Sequence, residues 1–248
     1  MGDYMNKKRY EKLDGIRGFA LLNMIVYHTV WDLVYLYQFP WDWYRSEGAY
    51  AWQQGICWTF IFLSGFCWAL GKHTWKRGIT VFLCGAVITL ATLLVMPQNR
   101  VVFGVLTLTG SCMLLMNLLD RQLQKLPSLA GLCGSILLFL LTRNVNDGYL
   151  GFERMNLLKL PEALYENLFT TYLGFMEQDF HSTDYFSLIP WLFLFLSGYF
   201  MFRFLKGKRV MEYLRGSLLL PVEWLGRHSL VIYMLHQPLI YLGLELML

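Results

Sequence analysis

The sequence predicts an all-α protein, a polytopic transmembrane bundle of about seven spanning helices with one external amphipathic segment. Of its 248 residues, 56% are hydrophobic and 15% charged, against roughly 45–50% and about 25% in soluble domains. The apolar residues gather into long stretches, and a helix that crosses a bilayer takes about 20 of them. Aromatic residues make up 17%, a class that collects at membrane–water interfaces. Disorder is excluded, because it needs low hydrophobicity and high charge. The length fits one integral membrane domain, 1–248.

The seven apolar segments run over roughly 16–37, 50–71, 78–96, 101–119, 127–142, 186–205 and 226–247. The first is long and lacks a small-residue cleavage site, so it reads as an uncleaved anchor. In the start Met1-Gly-Asp-Tyr-Met-Asn6, Asn6 stands where a myristoylation signal wants Ser or Thr. The fifth segment is the shortest. The last contains Pro238, which cannot donate to the carbonyl of Met234 and should kink its helix. Between the fifth and sixth lies a polar stretch, 143–185, with seven carboxylates and three basic residues. Its part Leu157–Met176 reads as amphipathic and suited to a membrane surface. Trp41, Trp43 and Tyr44 read as an interfacial belt. Cys57, Cys67, Cys84, Cys112 and Cys133 all lie in apolar stretches without a CxxC pair, and read as small core hydrophobes.

Basic residues set an orientation. Sixteen of 21 Lys and Arg fall on one side: Lys7, Lys8, Arg9, Lys12 and Arg17; Lys72, Lys76 and Arg77; Arg121 and Lys125; Arg203, Lys206, Lys208, Arg209 and Arg215; and Arg227. The positive-inside rule makes that side cytoplasmic in a cell membrane, with the C-terminus and 143–185 external. One internal echo stands out: Trp58-Thr-Phe-Ile-Phe-Leu-Ser-Gly-Phe66 resembles Trp191-Leu-Phe-Leu-Phe-Leu-Ser-Gly-Tyr199. Its simplest explanation is close helix approach at Ser-Gly.

Ionisable groups in a spanning helix are costly and mark function. The first helix carries Asp14, Arg17, His28 and Asp32. Arg17 and His28 are separated by a net turn of about 20° and about 16 Å of rise. Asp14 with Arg17, and His28 with Asp32, have the spacings of neighbours on one helix face. Asp32 is placed to orient the His28 imidazole. In the last helix Ser229, Tyr233 and His236 form a second stripe, with Gln237 beside it. Packing histidines and arginines snorkelling to lipid phosphates are the plainer readings of the same residues.

Leu13-Asp-Gly-Ile-Arg-Gly-Phe-Ala20 followed by His28 resembles the transmembrane acyltransferase superfamily, including acyltransferase family 3. Met24-Ile-Val-Tyr-His-Thr-Val-Trp-Asp32, Phe103-Gly-Val-Leu106, Asp184-Tyr-Phe-Ser-Leu-Ile-Pro-Trp191 and Gly226-Arg-His-Ser-Leu-Val-Ile-Tyr-Met-Leu-His-Gln-Pro238 resemble the small bacterial relatives of heparan-alpha-glucosaminide N-acetyltransferase. In this sequence Thr107 follows Phe103–Leu106, where that family often has His. The resemblance implies a multi-pass enzyme that moves an acetyl or other acyl group from cytosolic acyl-CoA to an amine or hydroxyl of a carbohydrate-type acceptor across the membrane. His28 would act as general base or as acyl acceptor, with Asp32 orienting it and His236 stabilising developing negative charge. Arg17, Lys76, Arg77 and Arg227 would bind the donor's phosphates, with Asp14 beside Arg17 in the same donor site. Tyr233, Gln237, Trp191 and Asp184 would meet the acceptor. Acyl-CoA serves as donor substrate and no metal is expected. The expected partners are the lipid bilayer, acyl-CoA, the acceptor and a second copy in a homodimer, with no nucleic acid. The competing reading is a proton-coupled transporter or flippase using the same Asp/Arg/His relay; a haem protein ligated by His28 and His236 is a third.

Overall fold

The computed structural model describes residues 9–248. Lys7 and Lys8 of the basic N-terminus, and the Met1–Asn6 start, lie outside the described residues. Ten α-helices are formed: α1 (Glu11–Tyr35), α2 (Glu47–Trp68), α3 (Thr74–Val95), α4 (Val105–Leu123), α5 (Ser128–Leu141), α6 (Leu168–Leu173), α7 (Leu188–Leu205), α8 (Arg209–Tyr213), α9 (Leu220–Arg227) and α10 (Ser229–Met247). Every expected apolar segment is helical. Three helices, α3, α7 and α10, are long and apolar enough to cross a membrane. α5 is apolar but has 14 residues, about 21 Å of helix against a hydrocarbon core of about 30 Å. In α1, Asn23, His28 and Asp32 dilute the apolar run.

The expectations need correction in four places. Leu157–Met176 is not a continuous amphipathic helix. Strand β1 (Tyr149–Phe152) pairs antiparallel with β2 (Met155–Lys159), so the fold is mainly rather than wholly α. Gly151, at φ 150°, lets the ribbon close, since a Cβ there would lie 1.9 Å from the Met155 carbonyl oxygen. After Pro161 come a 3-10 turn, Glu162–Leu164, and the short α6, begun by Asn167, whose side chain accepts from the Phe169 and Thr170 N–H groups. The last segment is broken at His228, so α9 and α10 are separate helices. Tyr44 is buried and donates to the Tyr27 carbonyl, while Trp41 and Trp43 are exposed. Of the five free cysteines only Cys112 is buried, and Cys133 is exposed.

The described residues fall into two compact units, 9–60 with Leu205–Leu248, and Ile61–Phe204. In the first, α9 lies directly on the start of α1. A Cβ on Gly18 would meet the Val222 carbonyl oxygen at 1.8 Å, and one on Gly226 would meet the Asp14 carbonyl oxygen at 1.9 Å. Only glycine permits two backbones to come so near. Further along α1, Leu21, Met24 and Ile56 form a core with Trp52, Leu225, Ile232 and Tyr233. Trp52 donates its indole N–H to Asn23 Oδ1 at 3.0 Å, tying α2 to α1. Ahead of α9, the Ser217 hydroxyl and Leu218 N–H both donate to Glu223 Oε1 at 2.6 Å. These donors hold the buried Glu223 carboxyl below the usual glutamate range.

In the second unit α3 packs on α4, where Gly110 abuts the Phe82 backbone and Gly85 abuts Thr107. The two echoed segments turn out to be one contact seen from both sides. A Cβ on Gly65 would lie 1.8 Å from the Phe195 carbonyl oxygen, and one on Gly198 would lie 2.0 Å from that of Phe62. Each glycine thus receives the carbonyl three residues before the other. Arg203 closes the end of α4 by donating to the carbonyls of Leu123, Gln124 and Leu126.

Gly226→Ala should lower the thermal midpoint in detergent, by an overpacking cost of about 1–3 kcal/mol. Gly243→Ala, where a Cβ meets nothing within 4 Å, should leave the midpoint unchanged or raise it. Because folding lowers the Glu223 pKa, the stability it contributes is complete above the unfolded pKa and fades as pH falls through the folded one. Glu223→Gln should therefore flatten the decline in midpoint between neutral and acidic pH; an unchanged slope would remove Glu223 as its source.

Candidate active site

Two polar groups lie along α1 in the first unit. At its start the buried Asp14 carboxylate collects three guanidinium groups. Arg9 Nε donates to Asp14 Oδ2 at 2.5 Å, Arg17 approaches Oδ1 at 3.5 Å, and Arg227 approaches Oδ2 at 3.7 Å. Arg227 also faces Glu11 at 3.6 Å and Glu223 at 3.5 Å. The i,i+3 pair read from the sequence is present. The arginines expected to meet donor phosphates are matched by three carboxylates, so the group is close to neutral. Glu11 and Glu223 were not among the residues singled out from the sequence. The i,i+4 spacing of Glu223 and Arg227 was the available signal.

The second group lies about three turns further along α1. The rings of His28 and His236 meet at 5.0 Å between centroids with a 60° interplanar angle. Tyr27 flanks His28, and Tyr233 flanks His236 at 5.2 Å. Asp32 is 0% exposed and bonds to Gln237, not to His28: Gln237 Nε2 donates to Asp32 Oδ1 at 2.7 Å. The expected orienting bond from Asp32 to His28 is thus replaced by a tie between α1 and α10. His236 Nδ1 lies 2.6 Å from the Tyr233 carbonyl oxygen, which can only accept, so Nδ1 carries the proton. The neutral ring then presents a lone pair at Nε2, and a contact to an oxyanion would need the doubly protonated ring. Three buried atoms of this group have no hydrogen-bond partner among the described residues: Asp32 Oδ2, Gln237 Oε1 and His236 Nε2.

Four expected site residues belong to the second unit. Trp191 is 4% exposed, packed against Phe139 and Phe186 with the Arg143 guanidinium 5.0 Å from its ring. It is a core residue with its faces taken, unlike a ring left open to stack on a sugar. Asp184 Oδ2 accepts from the Val105 N–H at 3.4 Å, at the start of α4. Lys76 is exposed in the first turn of α3, and Arg77 beside it lies over Gly71. The Thr107 hydroxyl, buried where α4 meets Gly85, has no partner among the described residues.

Comparison with known families matches the chain to the family model described as heparan-alpha-glucosaminide N-acetyltransferase, catalytic, over residues 9–238. Neither the curated proteins nor the solved structures gave a match. The match covers both polar groups on α1 and ends at Pro238, one residue beyond Gln237. By that match the chain belongs to the heparan-alpha-glucosaminide N-acetyltransferase catalytic family and carries an acetyltransferase-type domain.

Proposed function

We propose that the chain is a bilayer-embedded acyltransferase in which α1 and α10 carry the chemistry. The observation behind this reading is the set of three unpartnered acceptors at Asp32, Gln237 and His236. Buried acceptors left unpaired cost free energy until a ligand brings donors to them. An amine brings more N–H groups than a hydroxyl brings O–H groups. An amino-sugar acceptor, of the kind that the family's description names, suits such a set.

The nitrogen of that acceptor attacks the thioester carbonyl carbon of an acyl-CoA. The N–C bond forms and the C–S bond breaks. His28 takes the proton released from nitrogen, and the CoA thiolate leaves and is protonated from solvent. The alternative order passes the acyl group first to a His28 ring nitrogen and then to the amine. Asp32 binds the attacking nitrogen rather than steering His28, because its Oδ1 is already held by Gln237. At the start of α1, donor phosphates compete with Asp14 for Arg17 and Arg227.

In this reading α1 to α5, α7 and α10 cross the bilayer, with the N-terminus cytoplasmic and 143–185 and the C-terminus external. The support is the placement of 16 of the 21 Lys and Arg. An acyl group offered from the cytoplasmic side then reaches an acceptor on the other.

His28→Gln should lower kcat for acetyl-CoA-dependent acylation of glucosamine by roughly 10²–10⁴-fold, with acetyl-CoA binding retained. Unchanged turnover would remove His28 from the mechanism. Arg17→Ala should weaken acetyl-CoA binding by roughly 10- to 100-fold. Arg100→Ala, whose side chain donates to the His181 carbonyl, should leave binding unchanged. Equal effects in a binding titration would place the donor elsewhere.

A further inference from the structure

The hairpin β1–β2 leaves apolar side chains uncovered. Met155, Leu157 and Leu158 are 63%, 64% and 60% exposed, and no residue of β2 is buried. Leu157 is the extra residue of a bulge, unpaired between Leu158 opposite Leu150 and Asn156 opposite Gly151, so the strict alternation of faces is interrupted there. A two-stranded ribbon with nothing against it is marginal in water, and three large apolar side chains standing free increase the cost. Something covers them.

The position of the ribbon in the fold says what. The hairpin follows α5 after a short connection that holds the 3-10 turn Val145–Asp147. Thr142 forms a bridge with Gly151, the Asn144 N–H donates to the Gly151 carbonyl at 3.2 Å, and the Asn144 side chain donates to the carbonyls of Glu153 and Met155. The ribbon is therefore fixed to the end of a helix whose surface is itself apolar and open, through Ile136, Leu137 and Leu138. The ribbon's exposed apolar side chains are thus tied to the segment by which the chain leaves an open apolar helix. The backbone sets the depth. β2 has a partner on one edge only, and unpaired backbone N–H and C=O groups do not enter hydrocarbon. The side chains can enter the acyl boundary only while that edge stays among hydrated headgroups.

We propose that β2 is an interfacial anchor whose Met155, Leu157 and Leu158 dip into one leaflet at headgroup depth, beside the exit of α5. The occupant is lipid, favoured over a second copy of the chain by the attachment of the ribbon to the end of an open apolar helix. The inference rests on the bilayer reading above but not on acyl transfer.

The test is photocrosslinking of the full chain in lipid nanodiscs containing a tagged phosphatidylcholine. Benzoylphenylalanine replaces, in turn, Leu157, the exposed Glu166 and Leu90, which is 59% exposed in the C-terminal half of α3. The anchor predicts tagged-lipid adducts at 157 and 90 and only background at 166. An adduct at 90 with none at 157, or equal adducts at 157 and 166, overturns the anchor alone. Chain-to-chain adducts at 157 in place of lipid assign the ribbon to a dimer contact and also overturn it. No lipid adduct at either 157 or 90 overturns the bilayer reading together with the anchor.

Discussion

The buried carboxylate of Asp32 governs the arrangement of the first unit. An acidic group 0% exposed inside an apolar bundle is tolerable only when it is bonded. Here one oxygen takes the Gln237 amide, which fixes α1 against α10 and brings His28 onto His236. A second tie lies further along, where Tyr37 donates to Glu245 at 3.0 Å. The other Asp32 oxygen, the Gln237 carbonyl oxygen and the His236 Nε2 have no partner among the described residues. Fold and site thus rest on one bond: the same amide that holds the helices leaves the acceptors that a substrate nitrogen can satisfy.

That bond needs the helices seated first, and glycine does the seating. Gly18 and Gly226 let α9 rest on the backbone of α1. This contact places Arg227 beside Asp14 and directs the chain from α9 into α10. The second unit uses the same device twice, at Gly65 with Gly198 and at Gly85 with Gly110. In an apolar bundle, burial alone does not distinguish one helix pairing from another. Close approach at small residues, reinforced by dispersion and a few polar ties, does. The echo of Ser-Gly in two distant segments is explained by this contact.

What was legible in the sequence follows from the range of each interaction. Helices were legible because an apolar run reports its own burial, and all seven segments are helical. Asp14 with Arg17 was legible because i,i+3 spacing is local. The ring contact of Tyr233 with His236 followed from their shared stripe. The Gln237–Asp32 bond joins residues 205 positions apart, and no local pattern announces it, so Asp32 was assigned to the nearest histidine instead. Trp191 looked available for stacking because sequence does not show Phe139 and Phe186 closing over it. The hairpin was hidden because the exposed Leu157 and Leu158 open a stretch that reads as amphipathic.

The account's central claim is that an acyl group passes to an amine at the His28–Asp32–His236–Gln237 group. The most direct measurement gives purified chain in nanodiscs radiolabelled acetyl-CoA with glucosamine, and in parallel with glucose, the same ring with a hydroxyl in place of the amine. The account predicts labelled N-acetylglucosamine formed in step with CoA release, and little product from glucose. A folded sample that binds acetyl-CoA but acylates glucose as well as glucosamine would contradict the role given to the three acceptors. One that neither binds nor turns over acetyl-CoA would contradict the acyltransferase reading as a whole.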